Sequence, residues 1–237
     1  MSFYIKKTHS WELENPNINH FFHEILFYGI NEFLNNDKEV LFVLDTKLAN
    51  WEHEFTLFLC RSLGINYIYS ENVPKYIPGQ NGNWDILKHP NFHNVIDTIR
   101  SVVVHDSSPK SKVLYFRNTE IRRKMINYNG ELDHLFDEII YDMSKLTFDD
   151  QVKLFNRCSH LVTIDGACLA NTIFMRHEAK IFCIHPRNIY DCWPIKFGLS
   201  RCINPGNFVN YSCGLTDFNS DITFDDDIKN KITEFLS

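Results

Sequence analysis

The sequence is poor in the residues that bend or cross-link a chain. Among 237 residues there are 9 glycines and 8 prolines, too few for a collagen-like or linker-dominated protein. The seven cysteines (60, 158, 168, 183, 192, 202 and 213) are odd in number and contain no C-x-x-C pair. That pattern speaks against a disulfide framework and for reduced, mostly buried thiols. No run approaches the ~20 apolar residues of a membrane-crossing helix. The first residues contain no apolar core of leader length, so the expected location is cytoplasmic. An excess of positive charge is also missing, with 24 Lys+Arg against 30 Asp+Glu and a net charge of -6. A protein that bound nucleic acid through bulk phosphate contacts would be basic, so no such partner is expected. H-E-x-x-H is absent, and His20 and His23 find no third ligand, so no metal is expected. No organic cofactor is implied either.

What is present is ample apolar material, 44% of the chain, arranged in alternating periods. Residues 17–34 carry apolar side chains at helical spacing. Val40 to Leu44 is a short continuous run bounded by charge, which predicts a strand buried on both faces. Residues 51–63 return to helical spacing, with Gly64 as the C-cap. A strand at 66–69, a loop over 71–84 and a partly helical segment over 85–104 follow. His105 to Ser111 reads as a linker. Beyond it come a strand at 113–116, helical runs near 119–126 and 130–136, and a strand at 139–141. Thr147 and Asp150 then cap a helix over 148–157. Strands at 160–164 and 181–184 bracket a helix over 166–174, and a last helix spans about 226–236. Strand-helix alternation predicts an α/β fold with a mostly parallel sheet. The linker predicts two halves, 1–105 and 106–237, with a cleft between them.

Three segments carry chemistry. In Asp165-Gly166-Ala167 a strand ends, a glycine follows and a helix with small residues begins. Backbone N–H groups at such a start can receive a phosphate; the plainer reading is an ordinary strand-to-helix turn. Arg117, Arg122 and Arg123 follow a strand and could hold a diphosphate bidentately, or could line a solvated face. His20 and Glu24 lie one helical turn apart and could supply a base and its orienting partner, or could pin the helix in the core. Cys168, at a helix start, would have a lowered thiol pKa, which leaves a thiol enzyme as a third possibility.

Taken in order, these segments resemble glycosyltransferase family 61. The resemblance runs over roughly residues 17–200. It rests on Asn17, His20, Phe21 and Glu24; on Arg117, Arg122-Arg123, Asn127 and Glu131; on Gln151; and on Asp165-Gly166-Ala167-Cys168-Leu169-Ala170-Asn171-Thr172-Ile173-Phe174. It implies a compact GT-B-like architecture of two Rossmann-like halves facing a cleft, the first serving the acceptor and the second the donor. It implies inverting, metal-independent transfer from a nucleotide-diphosphate sugar to a glycan or other hydroxyl acceptor. Glu24 or His20 would be the base. Arg117, Arg122, Arg123, Asn127, Asp165, Gly166, Ala167 and Asn171 would bind the donor. Two positions depart from the family pattern. Asp165 stands where the family has histidine, and a carboxylate beside a diphosphate is repulsive unless it is paired or turned away. Cys183, with His185 two residues on, stands where the family often has glutamate. These departures motivate the alternative of a non-catalytic nucleotide- or glycan-binding module.

Overall fold

The structure, a computed structural model, describes residues 2–5, 21–37, 39–73, 89–102, 110–117, 123–186, 206–215, 217 and 220–237. For residues 23, 24, 167 and 168 it describes the backbone alone. The chain divides into two compact units, Met1–Val104 and His105–Ser237.

The first unit is a right-through repetition of strand and helix. Strand β1 (Ser2–Ile5) leads to a π-helical turn (Phe22–Leu26) that continues as α1 (Phe27–Asn35). Then come β2 (Leu41–Asp45), α2 (Asn50–Leu63), β3 (Tyr67–Ser70) and α3 (Phe92–Val102). The three strands are parallel in the order β1-β2-β3. Helix α2 ends where Gly64 takes φ 71°, as the sequence predicts, since a left-handed cap favours glycine. Gly29 serves a different end. A Cβ there would lie 3.0 Å from both the Phe3 and Phe42 rings. The missing side chain lets α1 settle directly on β1 and β2, where Phe3, Ile5, Phe42 and Leu44 are buried.

The second unit holds a five-stranded parallel sheet. Its strands are β4 (Ser111–Tyr115), β6 (Glu138–Ile140), β7 (Cys158–Ile164), β8 (Lys180–His185) and β9 (Phe208–Ser212), in the order β6-β4-β7-β8-β9. A separate two-stranded parallel sheet pairs β5 (Met125–Ile126) with β10 (Ile222–Thr223). Helix α4 (Phe148–Arg157) starts at Thr147, whose hydroxyl accepts from the Asp150 N–H at 3.2 Å. Helix α5 (Asp226–Leu236) starts at Asp225, which accepts from the Ile228 N–H at 2.9 Å. Ile228, Ile232 and Leu236 recur every four residues, so they share one face. They join Leu114, Val162 and Phe182 in one buried cluster.

Several expectations differ from the structure. Residues 125–126, read as helical, form a strand, because their partner β10 supplies the hydrogen bonds from far along the chain. Residues 130–136 contain only a short 3-10 turn, Asp133–Leu135. The segment Ala167–Phe174 winds as a 3-10 helix rather than an α-helix. There the Thr172 hydroxyl donates to the Leu169 carbonyl at 2.6 Å, a local bond three residues back that suits the tighter winding. Strands β1 and β9 carry no predicted counterpart. The linker at 105–111 lies largely outside the described residues. Among the described residues no helix is long and apolar enough to cross a membrane.

Candidate functional site

Strand order places the site in the second unit. The chain makes β4, adds β6 on one side, then β7, β8 and β9 on the other. The reversal between β6 and β7 makes the gap at the carboxyl ends of β4 and β7 a topological switch point, where parallel α/β sheets receive ligands. Among the described strands the first unit runs in sequence order and has no such point.

Register then decides which residues meet there. Tyr115 pairs with Thr163, and Thr163 with Cys183. Two residues beyond that row stand Arg117, Asp165 and His185, side by side at the strand ends. The Arg117 guanidinium lies so close over Gly166 that a Cβ on Gly166 would come within 2.3 Å of Nη2. Gly166 has an extended backbone, φ 171° and ψ -178°, so glycine is needed there for space and not for conformation. Arg117 also lines a cavity of about 230 Å³ together with Lys124, Asn127, Tyr128 and Tyr141. Two cations, an amide and two phenol rings around one hollow suit an anionic ligand with a flat polar ring.

Arg123 and Asp165 form a buried ion pair. Arg123 Nη1 donates to Asp165 Oδ2 at 2.7 Å, with side-chain exposures of 11% and 0%. The carboxylate expected to repel a diphosphate unless paired or turned away is thus paired. Arg123, two residues before β5, adopts φ 66°, and Asn127, just after it, φ 63°, so both are left-handed. That region disfavours a residue with a long side chain by about 1–2 kcal/mol. The bond to Asp165 helps to hold Arg123 in it.

Asp165 sits in a further buried cluster that sequence reading missed. The Asp165 carboxylate, the Cys183 thiol and the His185 ring each offer an atom within 4.8 Å of the others, and all three residues are buried. His185 Nε2 lies 3.2 Å from Asn210 Oδ1. An amide oxygen only accepts, so Nε2 carries the proton and Nδ1 keeps its lone pair. Asp165 Oδ1 and His185 Nδ1 are both buried with no hydrogen-bond partner among the described residues. Burial lowers the His185 pKa, while Asp165 and Asn210 pull it back up. The available signal was alternation: residues 183 and 185 point to one face of a strand, next to the strand that ends just before Asp165.

Asn171 takes a structural place. Its Nδ2 donates to Gln151 Oε1 at 2.9 Å, and Gln151 Nε2 donates in turn to the Leu146 carbonyl at 3.2 Å. The amide nitrogen thus ties the 3-10 segment to α4. Of the other expected site residues, the backbone of Glu24 lies in the π-helical turn and that of Ala167 opens the 3-10 helix. Their side chains, with that of Cys168, lie outside the described residues, as do Asn17, His20 and Arg122 entirely.

Parallel sheets alternating with helices define an α/β protein, a class that presents ligands at the carboxyl ends of its strands. The particular family follows from comparison. The family model described as Glycosyltransferase 61 matches residues 18–182. That is well over half of the chain, which therefore belongs to the glycosyltransferase 61 family and to the sugar transferases. No curated protein matches the chain.

Proposed function

We propose that the protein is an inverting glycosyltransferase whose donor is a nucleoside-diphosphate sugar and whose acceptor is a carbohydrate or other hydroxyl. The observation that carries this reading is the Arg117 guanidinium seated on Gly166 at the switch point of the second unit. In this reading the second unit serves the donor and the first the acceptor, as halves of a GT-B-like enzyme. Glu24 takes the proton of the acceptor hydroxyl, with His20 orienting it. The hydroxyl oxygen attacks the anomeric carbon. The bond from that carbon to the diphosphate breaks, and its electron pair leaves on the diphosphate oxygen. Arg117 and the backbone N–H groups at 166–167 meet the charge that develops there. Arg123 neutralises Asp165 so that the anion is not repelled, and Arg122 adds further positive charge. No added magnesium or manganese is required, because guanidinium groups do that work. The protein acts in the cytoplasm.

The experiment is a titration with nucleoside diphosphates and the corresponding nucleosides, followed by turnover. Arg117→Ala is expected to weaken the diphosphate by roughly 10–100-fold and the nucleoside little, as one charge-assisted bond is worth ~1.5–3 kcal/mol. Glu24→Gln is expected to cut turnover by roughly 10²–10⁴ with donor affinity kept. Equal losses for both ligands on Arg117→Ala would remove the anion assignment. Diphosphate binding without transfer or donor hydrolysis in the wild-type protein would favour the non-catalytic binding module instead.

A further inference from the structure

We propose that Asp165, Cys183 and His185 form a buried zinc site beneath the Gly166 turn, which goes beyond the transferase reading and does not depend on it. The first argument is the pairing of orphans. Asp165 Oδ1 and the His185 Nδ1 lone pair are both acceptors, both buried and both without a hydrogen-bond partner among the described residues. His185 Nδ1 also lies only 3.9 Å from Asp165 Oδ2. Two unmet acceptors in one buried cluster are unfavourable unless something positive lies between them. All three side chains are 0% exposed, so a nucleotide or sugar cannot reach them. A single ion can be enclosed as the chain folds.

The second argument is the identity of the atoms. Carboxylate oxygen, thiolate sulfur and imidazole nitrogen are the three donor types that zinc takes, and the sulfur selects against magnesium and calcium. The trio is set in place from outside as metal ligands usually are. Asn210 holds His185 Nε2 at 3.2 Å, and Arg123 holds Asp165 Oδ2 at 2.7 Å. The ligand atoms spread up to 4.8 Å apart. Tetrahedral zinc with these donors has edges of roughly 3.3–3.7 Å, a difference that small side-chain rotations close. Water or backbone would fill the fourth position. Binding exchanges the Cys183 thiol proton for the metal, the proton leaves to solvent, and no electron is transferred. The ion would pin the ends of β7 and β8, and so hold Asp165 and the Gly166 turn that follows. It is a resident ion inside the fold, distinct from an exchangeable ion that travels with a diphosphate.

Metal content tests this on the full chain. Protein expressed with zinc, or refolded with cobalt(II), is expected to hold one ion per chain. Cobalt should show a thiolate charge-transfer band, and X-ray absorption should find one sulfur and one imidazole in its shell. Cys183→Ser is expected to abolish the band and to weaken cobalt by at least ~10-fold, whereas Cys60→Ser leaves both unchanged. If Cys183→Ser does not fold, the wild-type absorption shell decides alone. Less than half an ion per chain would overturn the proposal and leave a bridging water between the two acceptors. A shell without sulfur, or a band surviving Cys183→Ser, would overturn it equally. Nucleoside-diphosphate binding is measured separately, so failure here leaves the transferase reading untouched, and the reverse.

Discussion

Gly166→Ala isolates the contact on which the proposed donor site depends. The backbone there is extended, φ 171°, which alanine adopts without strain. The new Cβ would lie 2.3 Å from Arg117 Nη2 and 3.3 Å from Cζ. Ordinary contact needs about 3.5 Å or more, so the guanidinium must retreat by about 1 Å. It is the far end of a long side chain, so it can move aside by rotation while the backbone stays in place. A charge-assisted hydrogen bond does not survive such a displacement from 2.7–2.9 Å. Losing it is worth ~1.5–3 kcal/mol, or roughly 10–100-fold in dissociation constant. Calorimetric titration with a nucleoside diphosphate is the assay, alongside thermal unfolding. The decisive variant is the double one. If Gly166→Ala acts by displacing Arg117, then Arg117→Ala with Gly166→Ala should bind no worse than Arg117→Ala alone, a full failure of additivity. Additive losses would refute the reasoning, because Gly166 would then act on the ligand by a route other than the guanidinium.

Other perturbations follow from the same contacts. Arg123→Ala strips the partner from a carboxylate that is 0% exposed, and removing one member of a buried pair costs about 3–5 kcal/mol. Denaturant unfolding should show it, and adding Asp165→Asn should recover part of the loss. Arg157 grips Glu138 with two bonds of 2.7 and 2.6 Å, which holds the Glu138 carboxyl below the usual range. The stabilisation is complete above the unfolded value of about 4.3 and vanishes as pH falls through the lower folded value. Wild type should therefore exceed Glu138→Gln by ~0.5–1 kcal/mol at neutral pH, with the gap closing in acid urea titrations. Gly29→Ala places a methyl 3.0 Å from two phenyl rings. The overpacking, about 1–3 kcal/mol, should outweigh the ~1 kcal/mol helix-propensity gain and lower the midpoint of thermal unfolding.

Local signals in the sequence led to the elements they encode. Thr147 with Asp150 located the start of α4, Gly64 located the end of α2, and the last helix, expected over about 226–236, is α5. That Arg117 and Gly166 stand at strand ends was legible because each follows an apolar strand run. That they touch was not, since it depends on the β4–β7 register. The β5–β10 pair escaped because two-residue strands have no period, and their hydrogen bonds come from a distant partner. Cys183 and His185 looked like departures from a pattern. Only the ladder from Thr163 to Cys183 sets them against Asp165. The tight winding of 167–174 was hidden because small and β-branched residues fit either helix type.

The pairing of β10 with β5, and the packing of α5 on β4, β7 and β8, bear on how the protein is made. The strands of the first unit pair with neighbours in chain order, so that unit can assemble as it leaves the ribosome. The second unit has no such freedom. Leu114, Val162 and Phe182 stay uncovered until residues 222–236 have been synthesised, because Ile222, Ile228 and Ile232 complete their cluster. Until then apolar surface stays open to chaperones and to misassociation. A chain cut before residue 222 should therefore aggregate even though every strand of its main sheet is present.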